Sequence, residues 1–192
     1  MKIKEELSKL EAGQAISIEG KEKTVKFVGT LNEMIQRSGS TEWVKRGKSS
    51  QAIFLSGGIW FANIPSEESG RYVWLLLEQK RYSSNLRQFY KGGDSLETWG
   101  VARKFAKSEQ KEPIPYELGG KKWEVVDIGT FQVEGDGDSE TAKNGDRLHF
   151  VTSKNEDKWL LYLDARPEEA KGTGGLFEGK EFNPNELIES VL

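Results

Sequence analysis

The residues best placed by type and spacing to do chemistry lie between positions 134 and 149. Glu134, Asp136, Asp138 and Glu140 alternate with smaller residues, and Asn144 and Asp146 follow. Hard cations such as calcium take oxygen ligands at such alternating spacing. The glycine and the closing glutamate of an EF-hand loop are missing, since Ala142 and Arg147 stand in their region. A solvated hairpin tip explains the same acids, so no metal ligand is assigned. His149, the only histidine, falls in the strand-like run Leu148-His-Phe-Val, and its neighbours point to the opposite face. One histidine does not build a usual zinc site. As a general base it needs an orienting acid, for which Asp127 and Asp146 are the candidates. Asp136, Asp138, Asp146 and His149 together define one alternative, a metal-dependent hydrolase. A histidine satisfied within its strand is the competing reading.

Other catalytic signatures are absent. The chain has no Gly-x-Ser-x-Gly elbow, no P-loop and no Gly-x-Gly-x-x-Gly between strand and helix. Gly172-Thr-Gly-Gly lacks the Lys-Ser or Lys-Thr that would follow in a phosphate loop, and reads as a flexible turn. No catalytic residue and no cofactor is therefore assigned, and a non-enzymatic module is the expectation.

A second constellation runs from Gln79 to Lys107. It holds Lys80, Arg81, Arg87, Lys91, Arg103, Lys104 and Lys107, interleaved with Tyr82, Phe89, Tyr90, Trp99 and Phe105. Basic and aromatic side chains in alternation suit single-stranded nucleic acid, here through Arg81, Tyr82, Arg87, Phe89 and Tyr90. The same five residues suit docking on an acidic protein surface. The chain carries one from Asp164 to Glu189, with seven acids against three bases, so self-association is a further reading. Against both stands the plainer alternative, in which Phe89, Trp99 and Phe105 are core and the cations line the exterior.

Bulk composition narrows these choices. With 28 basic and 31 acidic residues the formal charge is −3, which gives no uniform positive field for non-specific nucleic-acid binding. There is no cysteine, hence no disulfide framework and no thiolate zinc site, which fits the reducing cytoplasm. The charged start MKIKEELSKL lacks the apolar stretch of a signal peptide, and Tyr72 to Leu77 is too short to span a membrane. Ile3, Leu7 and Leu10 share one face of a short amphipathic helix that caps the fold.

The elements that must position these residues emerge when the chain is compared with itself at a shift of one hundred. Ile16 to Leu31 lies over Tyr116 to Phe131, placing Gly20 on Gly120, Lys21 on Lys121, Val25 on Val125, Gly29 on Gly129 and Thr30 on Thr130. Each copy reads as a hairpin around a Gly-Lys turn with one face buried, and Tyr116 and Leu118 share a face with Trp123 and Val125. Trp74-Leu-Leu-Leu and Trp159-Leu-Leu-Tyr read as equivalent, fully buried strands. Phe89-Tyr-Lys-Gly parallels Phe177-Glu-Gly-Lys. Asp94 with Glu97, and Asn183 with Glu186, carry helix-capping spacing. Pro184 then starts a C-terminal helix through NPNELIESVL with Leu187, Ile188 and Val191 inward, while Gly100 weakens the first helix. RSGSTEWVKRGKSSQ and NIPSEESGR read as inserted loops.

The fold class expected is mainly β, two internally similar antiparallel units with short terminal helices. Their bounds are 1–106 and 116–192, with 107–115 as linker. The Gly-Gly hairpin, the Trp123-x-Val-Val-x-Ile-Gly return strand, the acidic loop, the Trp159-Leu-Leu strand and the Phe177-x-Gly turn resemble a β-rich bacterial family catalogued as domain of unknown function 4178. The Trp74-Leu run resembles that family's earlier Trp-Leu strand. Where the family often shows a Tyr-Ala-Asp-Tyr-like strand, this chain has Leu148-His-Phe-Val. The resemblance implies an accessory cytoplasmic protein and transfers no catalytic residue. The functional expectation is a cytoplasmic adaptor with a protein partner, self-associating in one version. Single-strand binding and metal-dependent hydrolysis are the alternatives.

Overall fold

A computed structural model describes residues 7, 9–66, 70–81, 100–108, 112–165 and 170–191, and gives the backbone alone for 48 and 186–191. The first half runs β1 (Ala15–Ile18), β2 (Lys21–Gln36), β3 (Trp43–Leu55), β4 (Ile59–Ser66) and β5 (Arg71–Gln79). Helix α1 (Gly100–Lys107) precedes β6 (Ile114–Leu118), β7 (Lys121–Gly137), β8 (Arg147–Asn155), β9 (Lys158–Asp164) and β10 (Gly175–Glu181). A one-turn helix α2 (Pro184–Leu187) and β11 (Ile188–Val191) follow.

The protein is mainly β, as its alternating patterns require. All ladders are antiparallel, and β2-β3-β4-β5-β10-β9-β8-β7 closes into an eight-stranded barrel because β2 also pairs with β7. Closure removes the unpaired edges that an open sheet would present. β2 and β7 are long because each pairs with two successive partners along one edge, besides the ladder on its other edge. Their first residues pair with β1 and β6, and their later residues pair with each other. The bend between these duties is a bulge. The β2–β3 register shifts between Val25 and Phe27, and the β7–β8 register between Val125 and Asp127, one hundred residues on. One extra residue in a strand sharpens its twist, which lets the outer hairpin leave the barrel wall. The outer hairpins turn on Glu19-Gly20 and Gly119-Gly120, all four with positive φ, as a two-residue turn between twisted strands demands.

The halves meet at two seams, β2–β7 and β5–β10. In the first, Thr30 faces Glu134 and Met34 faces Thr130, with Asn32 opposite Gln132 between them. In the second, Glu78 faces Glu178. Each seam thus pairs a residue with the position one hundred further on, the self-complementary pattern of a two-fold interface.

Alternate residues fill the barrel. Phe54 stacks on its cross-strand partner Trp60 at 4.6 Å, and Phe177 meets Trp60 edge-on at 5.6 Å. Phe131 stacks on Phe150 at 3.9 Å. An interior void between Ser50, Thr152, Trp60 and Trp159 is about 40 Å³, room for roughly two or three waters. Two clusters lie outside the wall. Leu7, Leu10, Ile16 and Ile18 cover Ile53, Phe61, Trp74 and Leu76, while Val101, Ala102 and Phe105 of α1, with Trp123, cover Val151, Leu160 and Tyr162.

Several expectations change. Trp43–Leu55 is a strand, so the segment read as an inserted loop turns only at 37–42. Its cations Lys45 and Arg46 fit because the ribbon end from Trp43 to Gly47 is at least partly exposed throughout. Likewise Asn63–Ser66 is the end of β4. Trp74 and Trp159 both sit in buried strands but not in equivalent ones: Trp74 lies in β5 on the outer face, Trp159 in β9 against the interior. The C-terminal helix begins where Asn183 and Pro184 place it, with the Asn185 amide donating to Asn183 Oδ1 at 3.1 Å. It stops after Leu187, because Ile188–Val191 pairs with β1 and occupies an otherwise bare edge. Whether Leu187, Ile188 and Val191 point inward lies outside the described side chains. Of the residues 107–115, Lys107 ends α1, and Ile114 and Pro115 open β6, an edge strand where proline is tolerated. Phe89, Asp94 and Glu97 lie outside the described residues.

Candidate functional site

The acidic constellation is dispersed by the fold. Glu134 and Asp136 are exposed on β7, opposite Thr30 and Val28. Asp138 accepts a hydrogen bond from Lys143 Nζ at 2.7 Å. That bond and the ammonium charge hold the Asp138 carboxyl below its ordinary 3.8, and the carboxylate in turn raises the Lys143 ammonium above 10.5. Asp146 is buried and clamps the chain instead of facing solvent. Its Oδ2 accepts from the amides of Lys143 (2.9 Å) and Gly172 (2.8 Å), and its Oδ1 from the amide of Lys171 (2.7 Å). This clamp ties the β7–β8 connection to the Gly172 turn and seats Ala142 in the barrel mouth. The Gly172-Thr-Gly-Gly turn is thereby closed, since Thr173 and Gly174 donate their amides to the carbonyls of Glu140 and Thr141. Among the described residues no three of His, Cys, Asp and Glu gather where a metal ion would be held.

His149 belongs to a polar row on the outer face. It stands between Thr130 of β7 and Asp164 of β9, its Nδ1 2.8 Å from Thr130 Oγ1. Neither Asp127 nor Asp146 is its cross-strand neighbour. Asp127 pairs with Thr152, and Asp146 serves the clamp. Thr130, His149 and Asp164 are only 3%, 6% and 5% exposed. Beside His149 stands Trp43, from the β2–β3 ribbon, whose ring lies 6.5 Å from the imidazole and carries the Arg147 guanidinium at 4.8 Å.

The same register in the first half yields Thr30 of β2, Gln51 of β3 and Asn63 of β4. These are the counterparts of Thr130, His149 and Asp164, and each is partly exposed. Together with Val28, Ser49 and Tyr72 they line a groove of about 470 Å³ on the outer wall. Tyr72, 52% exposed, stands at its rim. Ser49 is held by donating to Asn32 Oδ1 at 2.7 Å. The lining is uncharged, and the exposed carboxylates of Glu134 and Asp136 flank it on β7. Sequence reasoning missed this site because isolated Gln, Asn and Ser in strands look like ordinary solvated positions. The one signal was Thr30 falling on Thr130.

Of the basic-aromatic residues, Arg81 is exposed just beyond β5. Tyr82, Arg87, Phe89, Tyr90, Lys91 and Trp99 lie outside the described residues. In α1, Phe105 is core, and Arg103, Lys104 and Lys107 point to solvent. No helix among the described residues is long and apolar enough to cross a membrane. Comparison with protein-family models, curated proteins and solved structures finds no match.

Proposed function

We propose that this chain is a non-enzymatic binding module of the reducing cytoplasm, an adaptor that meets a protein partner through the outer wall of β2 to β5. The observation that carries the reading is the open, uncharged groove of about 470 Å³ over Thr30, Gln51 and Asn63. Two other stretches of the outer wall are covered, one by β1 with Leu7 and Leu10, the other by α1 with Trp123. The interior is filled by aromatic rings, which supports recognition on the outside over a ligand held within. Mixed hydroxyl and amide groups beside an exposed tyrosine suit the rim and anchor of a protein contact.

The test compares the wild-type chain with a Tyr72→Ala/Gln51→Ala variant, each immobilised and exposed to host extract. Partners retained by the wild type and lost by the variant are expected; equal retention by both overturns the assignment of this face. Sedimentation equilibrium on the same two proteins measures self-association.

A second reading is favoured by the exposed cations Arg103, Lys104 and Lys107 on α1 and by exposed Arg81. It makes the protein a binder of single-stranded nucleic acid. Titration of labelled single strands at several salt concentrations decides it, because phosphate contacts make affinity fall steeply with salt. Absence of salt-sensitive binding at micromolar protein removes this reading.

A further inference from the structure

Two equivalent rows on one barrel, one covered and one bare, point to what the bare row receives. In the second half, His149, the middle residue of the row Thr130, His149 and Asp164, has beside it the indole of Trp43, 6.5 Å away and delivered by the β2–β3 ribbon. The corresponding connection of the second half, between β7 and β8, does not reach back over Thr30, Gln51 and Asn63. Asp146 clamps it to residues 171 and 172, and Ala142 packs into the barrel interior. The counterpart of Trp43 is thus missing over the first-half row, and the groove stands in its place.

We infer that the groove takes an indole ring presented by an extended, basic segment of a partner protein, an inference that rests on the binding-face reading above. Four features support this occupant. The internal precedent is an indole set against the middle residue of a cross-strand row of the same register. Tyr72 offers an exposed ring at the rim for offset or edge-on contact. Asn63, partly exposed in the groove lining, has its Oδ1 shielded from solvent and without a hydrogen-bond partner, an acceptor that an indole N–H would satisfy if the amide turned outward. Glu134 and Asp136, exposed beside Thr30 and Val28, favour flanking lysine or arginine and repel phosphate.

The probe is the peptide acetyl-Lys-Lys-Trp-Lys-Lys-amide, titrated into the full chain and followed by amide chemical shifts. Saturable shifts confined to the amides of Val28 to Asn32, Ser49 to Gln51, Asn63 and Tyr72 are expected. Affinity should fall about tenfold or more, the effect expected of losing an aromatic anchor, when the peptide Trp is replaced by Ala or the protein carries Tyr72→Ala. Asn63→Leu, which keeps the side-chain volume and removes the acceptor, serves as the second variant and should weaken binding as well. Maltohexaose is the neutral control. No shift of these amides at millimolar peptide, equal binding of the Trp→Ala peptide, or binding of maltohexaose in place of the peptide overturns the inference. If the peptide fails while Tyr72-dependent capture from extract persists, the ligand class falls and the binding face stands. If both fail, both fall.

Discussion

At the scale of single residues, the carboxylates that look most like metal ligands are employed in holding the backbone. Asp146 is 1% exposed and satisfies the amides of residues 143, 171 and 172. Replacing it by Ala leaves three backbone donors unpaired, one of them fully buried, which should cost about 2 to 4 kcal/mol in urea denaturation, with Asp146→Asn costing less because one acceptor remains. Asp138 illustrates the opposite regime, an exposed pair with Lys143. Its folded-state carboxyl titrates below 3.8, so the stabilisation is present above that pH and is lost as pH falls through the lowered value. The Lys143 contribution runs the other way, present below 10.5 and lost as pH rises through the raised value. In Lys143→Gln, a carboxyl-carbon titration followed by NMR should move Asp138 back up toward 3.8; an unmoved midpoint would show that another group sets it.

At the scale of elements, the seam between β2 and β7 leaves no room for added volume. A Cβ on Gly29 would run into the Glu134 carbonyl and the Gly135 Cα, and the Phe27 ring already lies over the site. Gly129 is roofed in the same way by Phe150. Gly29→Ala should therefore destabilise by about 1 to 3 kcal/mol through overpacking, read as a lower urea midpoint, although alanine suits a strand better than glycine does. The bulges at residues 25–27 and 125–127 and the positive-φ turns at 19–20 and 119–120 give the two hairpins the same local geometry. Turn and bulge chemistry is local, so it leaves a local trace. The ribbon from Trp43 to Gly47 and the strand Ile188–Val191 leave none, because a neighbouring strand dictates their conformation and their own residues favour a loop and a helix respectively.

At the scale of the whole molecule, the halves share the barrel wall through both seams, so neither half retains a closed sheet without the other. Urea unfolding should accordingly be one transition, with tryptophan fluorescence and far-ultraviolet circular dichroism giving coincident curves. Trp60 and Trp74 report from the first half, and Trp123 and Trp159 from the second. Two separated transitions would mean that the seams contribute little to either half.

What the sequence determined by itself was the β class, the one-hundred-residue spacing of the hairpins and the bulky core, because alternation, turn residues and apolar runs are set by near neighbours. Which polar rows are covered was decided only in three dimensions. Thr30 and Thr130 begin chemically similar rows, and the difference between them is whether a ribbon from the other half folds across, as Trp43 does over His149. Such coverage depends on contacts between residues about a hundred positions apart, and no local pattern encodes where a distant strand will lie.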